Sequence, residues 1–214
     1  MEELKSHLLE RFTLDLPGPE AHAQMASESR KKRLNNEPSA NPRRSAVLAL
    51  IYRKTNELFL PLIRRQTYKG VHSGQMAFPG GRVEEQDKSL KETALRETSE
   101  EIGVQIPKNK IVGQLTEIYI PPSNSLVTPY VALSESSFTF QPDPREVAEV
   151  VEVGLKELLN PFNYSVEKIK VHDNVIINAP SYKIRGNIIW GATAMMLSEL
   201  LMVLGELEST KKFL

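Results

Sequence analysis

The chain contains no cysteine. That excludes disulfides, thiol nucleophiles and thiolate metal sites, and it fits a reducing compartment. It has no net charge either, with 27 basic against 27 acidic residues, so no global field draws it to nucleic acid or a membrane and any charge-based recognition is local. Long hydrophobic runs are missing. The most apolar stretch, Ala192 to Leu204, is interrupted by Ser198 and Glu199 and is too short to span a bilayer. The opening MEELKSH lacks the basic and apolar blocks of a signal peptide, and the closing Lys212-Phe213-Leu214 is not a peroxisomal Ser-Lys-Leu address. A soluble cytoplasmic protein without nucleic-acid or membrane partners is therefore expected.

At 214 residues the length suits one ordinary domain with an appendage. Leu4, Leu8, Leu9 and Phe12 recur at helical spacing, predicting a short helix over 2–12. From Leu16 to Arg44 the chain is polar and proline-punctuated and reads as an extended arm. The basic cluster Arg30-Lys31-Lys32-Arg33 within it reads as a solvated charge run. The division expected is an N-terminal helix and arm over 1–43 and a catalytic domain over 44–214.

Strands are predicted at Ala46–Tyr52, Leu58–Ile63, Gln75–Phe78, Ile111–Ile120, Val127–Leu133, Val147–Val153, Val166–Val171 and Val175–Ile177. A helix is expected after Ser89, which forms a capping box with Glu92, and it should stop at Gly103. A final helix covers about Ala192–Glu208, preceded by Trp190, which reads as core packing. Strands flanked by two substantial helices indicate a mixed α/β sandwich.

The informative segment is Gly80–Val104. Residues three and four apart share a helix face, so Glu97 lies beside Glu100 and Glu101. Like charges there repel, and the helix dipole disfavours anions in the last turn. Such a conflict marks a functional site, and a bound cation would resolve it. Carboxylates without nearby Cys or His suit a hard ion, magnesium or manganese, and magnesium commonly completes its shell with substrate phosphates. Gly80 and Gly81 allow close backbone approach.

The arrangement resembles the Nudix box, G-x5-E-x7-R-E-U-x-E-E-x-G-U with U aliphatic. Arg96, Glu97, Glu100, Glu101, Gly103 and Val104 match; Thr98 replaces an aliphatic residue, and Asp87 replaces the upstream glutamate with one extra residue before Arg96. That expansion is similar to the coenzyme A pyrophosphatase branch. Upstream, Arg65, Gly74, Phe78, Pro79, Gly80 and Gly81 fall in register with that branch's substrate motif, whereas Gln66 and Gly70 stand where Ser and Arg are usual.

The resemblance implies a Nudix-type α/β/α sandwich with a mixed β-sheet between helices, and metal-dependent hydrolysis of the diphosphate of coenzyme A or an acyl-CoA. Mg2+ or Mn2+ would be held by Glu97 and Glu101, with Glu100 in an outer or second metal shell. Arg96 would orient a carboxylate or Asp87, and the general base would be Glu101 or a carboxylate of the Glu146–Glu149 loop, Glu149 in particular. Arg65, Lys69 and His72, with Gly80 and Gly81, would bind substrate, and Tyr68 could stack on the base. The partner implied is a small-molecule diphosphate, and a homodimer stays open. ADP-ribose or a dinucleotide is the alternative substrate, and a binding module without turnover is the remaining reading.

Overall fold

The first two strands form a tight hairpin. β1 (Arg43–Lys54) turns at Thr55 and Asn56, both with positive φ, into the antiparallel β2 (Glu57–Arg65). Positive φ at both central residues matches the right-handed twist of a β-hairpin. A computed structural model describes residues 1–34, 37–67, 72–171 and 175–205.

β3 (Met76–Ala77) pairs with β2, and β4 (Gly80–Arg82) pairs with β1. Helix α4 (Leu90–Ile102) follows, then β5 (Ile111–Gln114), β6 (Ile118–Ile120), β7 (Ser125–Ser134) and β8 (Val147–Gly154). These make one eight-stranded mixed sheet, in which β1 and β7 run parallel from Arg43↔Ser125 to Tyr52↔Ser134. A short helix α5 (Leu155–Leu159) leads to a second sheet of three antiparallel strands, β9 (Tyr164–Lys170), β10 (Ile176–Ile184) and β11 (Asn187–Trp190). Helix α6 (Gly191–Gly205) comes last.

Strand β1 shows how the layers form. Its side chains alternate between faces. Ala46, Leu48, Leu50 and Tyr52 enter a core with Ala94 and Ile102 of α4, whereas Ala49 and Ile51 enter a larger core with Met195, Leu197 and Leu200 of α6. The sheet thus lies between α4 on one face and α6 on the other, the α/β/α sandwich expected.

The N-terminal segment joins the second core. Helix α1 (Glu2–Arg11) contributes Leu4 and Leu8. The expected extended arm is instead helical over α2 (Gly18–Met25) and α3 (Glu28–Lys31), and Met25 and Ala26 are buried in that core. Long-range contacts made by α2 were invisible to a local reading. Glu199 of α6 is fully buried and accepts hydrogen bonds from Gly18 N (3.2 Å), His22 Nε2 (3.0 Å), Thr116 N (3.1 Å) and Thr116 Oγ1 (2.6 Å). The single strand expected over Ile111–Ile120 divides for the same reason: Leu115 N turns to Pro129 O, and Thr116 turns to Glu199. No helix among the described residues is long and apolar enough to cross a membrane.

Candidate active site

Helix α4 carries the carboxylates and is defined at both ends. Ser89 Oγ accepts from Glu92 N at 3.3 Å, while the Glu92 carboxylate accepts from Lys88 N at 3.0 Å. Gly103 ends the helix at φ 70°, a left-handed conformation that favours glycine. Thr98, at the position expected to be aliphatic, faces the core and satisfies its hydroxyl by donating to Ala94 O at 2.7 Å. The last turn holds no basic residue.

The glycine pair of β4 lies under this helix. Gly80 has φ 151°, and a Cβ there would stand 2.4 Å from Ala46 O. Its N–H donates to Glu101 Oε2 at 2.7 Å. Gly81 opens room for Glu97, whose carboxylate occupies the space a side chain would need.

Arg96 is the hub. It donates Nε to Asp87 Oδ1 (3.0 Å) and Nη2 to Asp87 Oδ2 (2.9 Å), and Nη2 also reaches Arg82 O (2.9 Å) and Glu97 Oε1 (3.1 Å). Nη1 binds Glu100 at 2.8 Å. The clamp from Arg96, helped by Glu84 N and Thr93, overcomes the cost of burial and holds Asp87 down at about 2. Asp87 thus takes the aspartate position of the expanded spacing as Arg96's bidentate partner.

Glu101 is only 2 % exposed. Burial pushes its carboxyl up to about 8, against the pull of Gly80 N–H and of Arg65, whose Nη1 lies 3.6 Å from Oε1. The charges of Glu97 and Glu146 push the same way as burial. Among the described residues, Glu101 Oε1 and Arg65 Nε have no hydrogen-bond partner although both atoms are buried. Glu97 is also raised, first by burial, with Arg96 opposing.

The other predicted residues are placed as follows. Glu100 is exposed and drawn to Arg96, and among the described residues no three carboxylates or imidazoles converge on one point. Glu149 faces Arg64 across the β8–β2 ladder and pairs with it. Its neighbour Glu146 is the loop carboxylate whose charge reaches Glu97 and Glu101. His72 shares a hydrogen bond with Gln75 at 3.2 Å. Lys69, with Tyr68 and Gly70, lies outside the described residues.

A cleft of about 940 Å³ opens beside the glycine pair. Arg65, His72, Gly80 and Gly81 lie along it, together with residues the sequence did not single out for ligand contact: Met25, Arg30, Arg82, Tyr119 and Lys170. Trp190 is half-buried and faces the cleft, a correction to its expected place in the core; its position at the β11–α6 junction turns it outward. Only the tertiary fold brings α3, β6, β9 and β11 to one wall, so local pattern carried little signal for these residues.

A sequence model of the NUDIX domain matches residues 42–175. The chain belongs to the Nudix family. A relative, the uncharacterized Nudix hydrolase NudL of Photorhabdus laumondii, is 35% identical over 202 residues, covering 91% of this chain and 95% of the relative. The protein of the same name from Yersinia enterocolitica is 35% identical over 165 residues, covering 76% and 82%. A MutT/nudix family protein from Enterococcus faecalis shares the fold, with a TM-score of 0.55 at 16% identity over 90% of this chain and 76% of that one. The protein is thus a Nudix pyrophosphohydrolase.

Nudix hydrolases generally need a divalent metal ion. The residues present fit one. Glu101 Oε1 is buried without a hydrogen-bond partner, and the Glu97 carboxylate is held over Gly81 where a Cβ would otherwise stand. Two carboxylates and an open cleft suit a hard ion that takes few protein ligands and completes its shell with phosphate oxygens.

Proposed function

We propose that this Nudix hydrolase cleaves the diphosphate of coenzyme A or an acyl-CoA, giving adenosine 3′,5′-bisphosphate and (acyl-)4′-phosphopantetheine. The observation that carries this reading is the cleft. It begins at the glycine pair and Arg65, bears cationic side chains, and continues along Met76, Phe78, Trp190, Met195 and Met196. A charged diphosphate with a long, weakly polar arm has matching chemistry.

In this proposal Glu97 and Glu101 would hold Mg2+ or Mn2+, with Glu100 in an outer or second metal shell. The ion would neutralise diphosphate charge and make water more acidic. Arg96 fixes Glu97 through a hydrogen-bonded contact, and Asp87 fixes Arg96. Gly80 N–H orients Glu101. The base for the attacking water is Glu101 or Glu146; Glu149, on β8, is engaged by Arg64. Arg65 stands where it can donate to a phosphate oxygen as well as to Glu101, and Trp190 offers an aromatic face to the base or the pantetheine arm.

A second reading, hydrolysis of ADP-ribose or a dinucleotide, is favoured by Gly70, which stands where the coenzyme A motif usually has arginine. Chromatographic product analysis separates the two. Protein with Mg2+ or Mn2+ is given coenzyme A, acetyl-CoA, dephospho-CoA, ADP-ribose and NADH in parallel. Adenosine 3′,5′-bisphosphate from coenzyme A as the dominant product supports the first reading. Faster cleavage of ADP-ribose replaces it with the second, and no cleavage of any compound favours a binding module.

A further inference from the structure

Among the described residues, the cleft wall carries four basic side chains, Arg30, Arg65, Arg82 and Lys170, and no aspartate or glutamate. The whole chain balances its charges, so this segregation is a property of the cleft and not of composition. Two of the four belong to the carboxylate end. Arg65 reaches Glu101, and Arg82 lies on β4 with its carbonyl bound to Arg96.

Arg30 stands elsewhere. The register partners Arg82↔Ser45, Ser45↔Val127 and Val127↔Ile118 run across four adjacent strands. At about 4.8 Å per strand, β6 lies roughly 14 Å from β4. Arg30 donates from Nη2 to the carbonyl of Tyr119 on β6. It is half-buried, and it forms no ion pair among the described residues. Burial, seconded by the charge of Arg33, lowers its pKa from the ordinary value. A partly buried guanidinium without a counter-charge is costly, and an anion arriving in the cleft would offset that cost.

The position is built. Glu199 anchors Gly18 and His22 of α2, and Met25 and Ala26, where α2 ends ahead of α3, are buried. Arg30 also lies outside the stretch, 42–175, that matches the NUDIX domain.

We infer that Arg30 is a specificity residue that reads a second anionic group of the substrate, distinct from the scissile diphosphate. The recognised chemistry is a phosphate monoester or carboxylate, whose oxygens suit the planar fork of arginine. On the coenzyme A reading, on which this assignment rests for its substrates, the group is the 3′-phosphate or the terminal carboxylate of an acidic acyl chain.

The test is a selectivity ratio measured on the full chain with Mg2+. For wild type, Arg30→Met and Arg30→Lys, kcat/KM is measured on coenzyme A and dephospho-CoA, and on malonyl-CoA and acetyl-CoA. Lys32→Met removes a neighbouring charge outside the cleft and should leave both ratios at wild-type values. A fall of about tenfold or more in the coenzyme A to dephospho-CoA ratio for Arg30→Met, carried by KM and partly restored in Arg30→Lys, assigns the phosphate monoester. The same fall confined to malonyl-CoA over acetyl-CoA assigns the carboxylate. Proportional losses on both members of each pair, or a wild type without preference within either pair, overturn the assignment. Thermal unfolding of each variant identifies misfolding, and Arg30→Lys keeps the test open should Arg30→Met fail to fold. If coenzyme A is not cleaved, the ratio is read on NADPH over NADH, which also differ by one phosphate monoester. Failure of the coenzyme A reading is then separate from failure of the Arg30 assignment.

Discussion

A Cβ on Gly81 would stand 2.4 Å from Cδ and Oε1 of Glu97. The missing side chain of one residue is therefore the seat of the other's carboxylate. Gly81→Ala should displace Glu97, because the obstacle is the end of a flexible side chain, and should leave the fold intact. A loss of about 100-fold in kcat/KM is expected, equivalent to about 2.7 kcal/mol, with little change in thermal stability. Gly80→Ala should do the reverse: its Cβ would meet the backbone of Ala46 and Val47 at φ 151°, so the main effect is on unfolding. Circular-dichroism melts beside steady-state kinetics separate the two, and equal Tm losses would remove the distinction.

Glu101→Gln tests the buried carboxyl. A folded carboxyl raised to about 8 from 4.5 retains its proton better than the unfolded chain, so metal-free wild type should lose stability as pH climbs through that interval. Glutamine has no proton to lose, and its oxygen can still accept from Gly80 N–H. Measured in chelator, the variant should gain on wild type between pH 5 and pH 8 while turnover with metal falls by about 100-fold or more. Parallel stability profiles would show that Glu101 is charged in the folded protein throughout.

Asp87→Asn should loosen Arg96 and, through it, Glu97. Residues that orient ligands typically contribute 10–100-fold to metal affinity or activity, so an activation constant for Mg2+ raised by roughly tenfold is expected. Because Asp87 is held at about 2, its stabilising contribution is present above its ordinary 3.8 and is lost only as pH falls toward 2. The Arg96 clamp should therefore persist at pH 5, and an acid limb of activity there should be unchanged by Asp87→Asn.

Glu199→Ala removes the acceptor shared by Gly18, His22 and Thr116. Breaking a buried pair from one side costs about 3–5 kcal/mol, readable by urea unfolding. A double-mutant cycle with His22→Ala should return a coupling of about 1–3 kcal/mol. Burial works against the Glu199 charge, but His22 and Thr116 outweigh it and keep the carboxyl below 4.5. This contribution is thus present above 4.5 and fades as pH falls beneath that value. Additive losses would show that the two side chains do not act as a pair.

How much the sequence revealed follows the range of the interactions. The α4 boundaries rest on Ser89, Glu92 and Gly103, all within one turn of what they cap, and the conflict among Glu97, Glu100 and Glu101 is equally local. The turn at Thr55 and Asn56 falls in the polar stretch between two apolar runs, an equally local signal. The hidden parts depend on distant partners. Helix α2 is tied to Glu199 across 181 residues at Gly18, β10 runs on through Pro180, and β11 was too short to stand out beside Trp190. Glu149, expected in a loop, lies on β8, where the β8–β2 register sets it opposite Arg64, and that pairing is not a local property of the sequence.

The stitch at Glu199 has a wider consequence. It fastens α2, which precedes the matched NUDIX segment, to α6, which follows it, and the two border the cleft through Met25 on one side and Met195 and Met196 on the other, with Arg30 following on α3. The middle of the chain carries Glu97, Glu101 and the glycine pair, and its flanks supply part of the cleft wall. A protein trimmed to the matched segment would lose Met25, Arg30, Met195 and Met196 from its cleft wall while keeping Glu97 and Glu101.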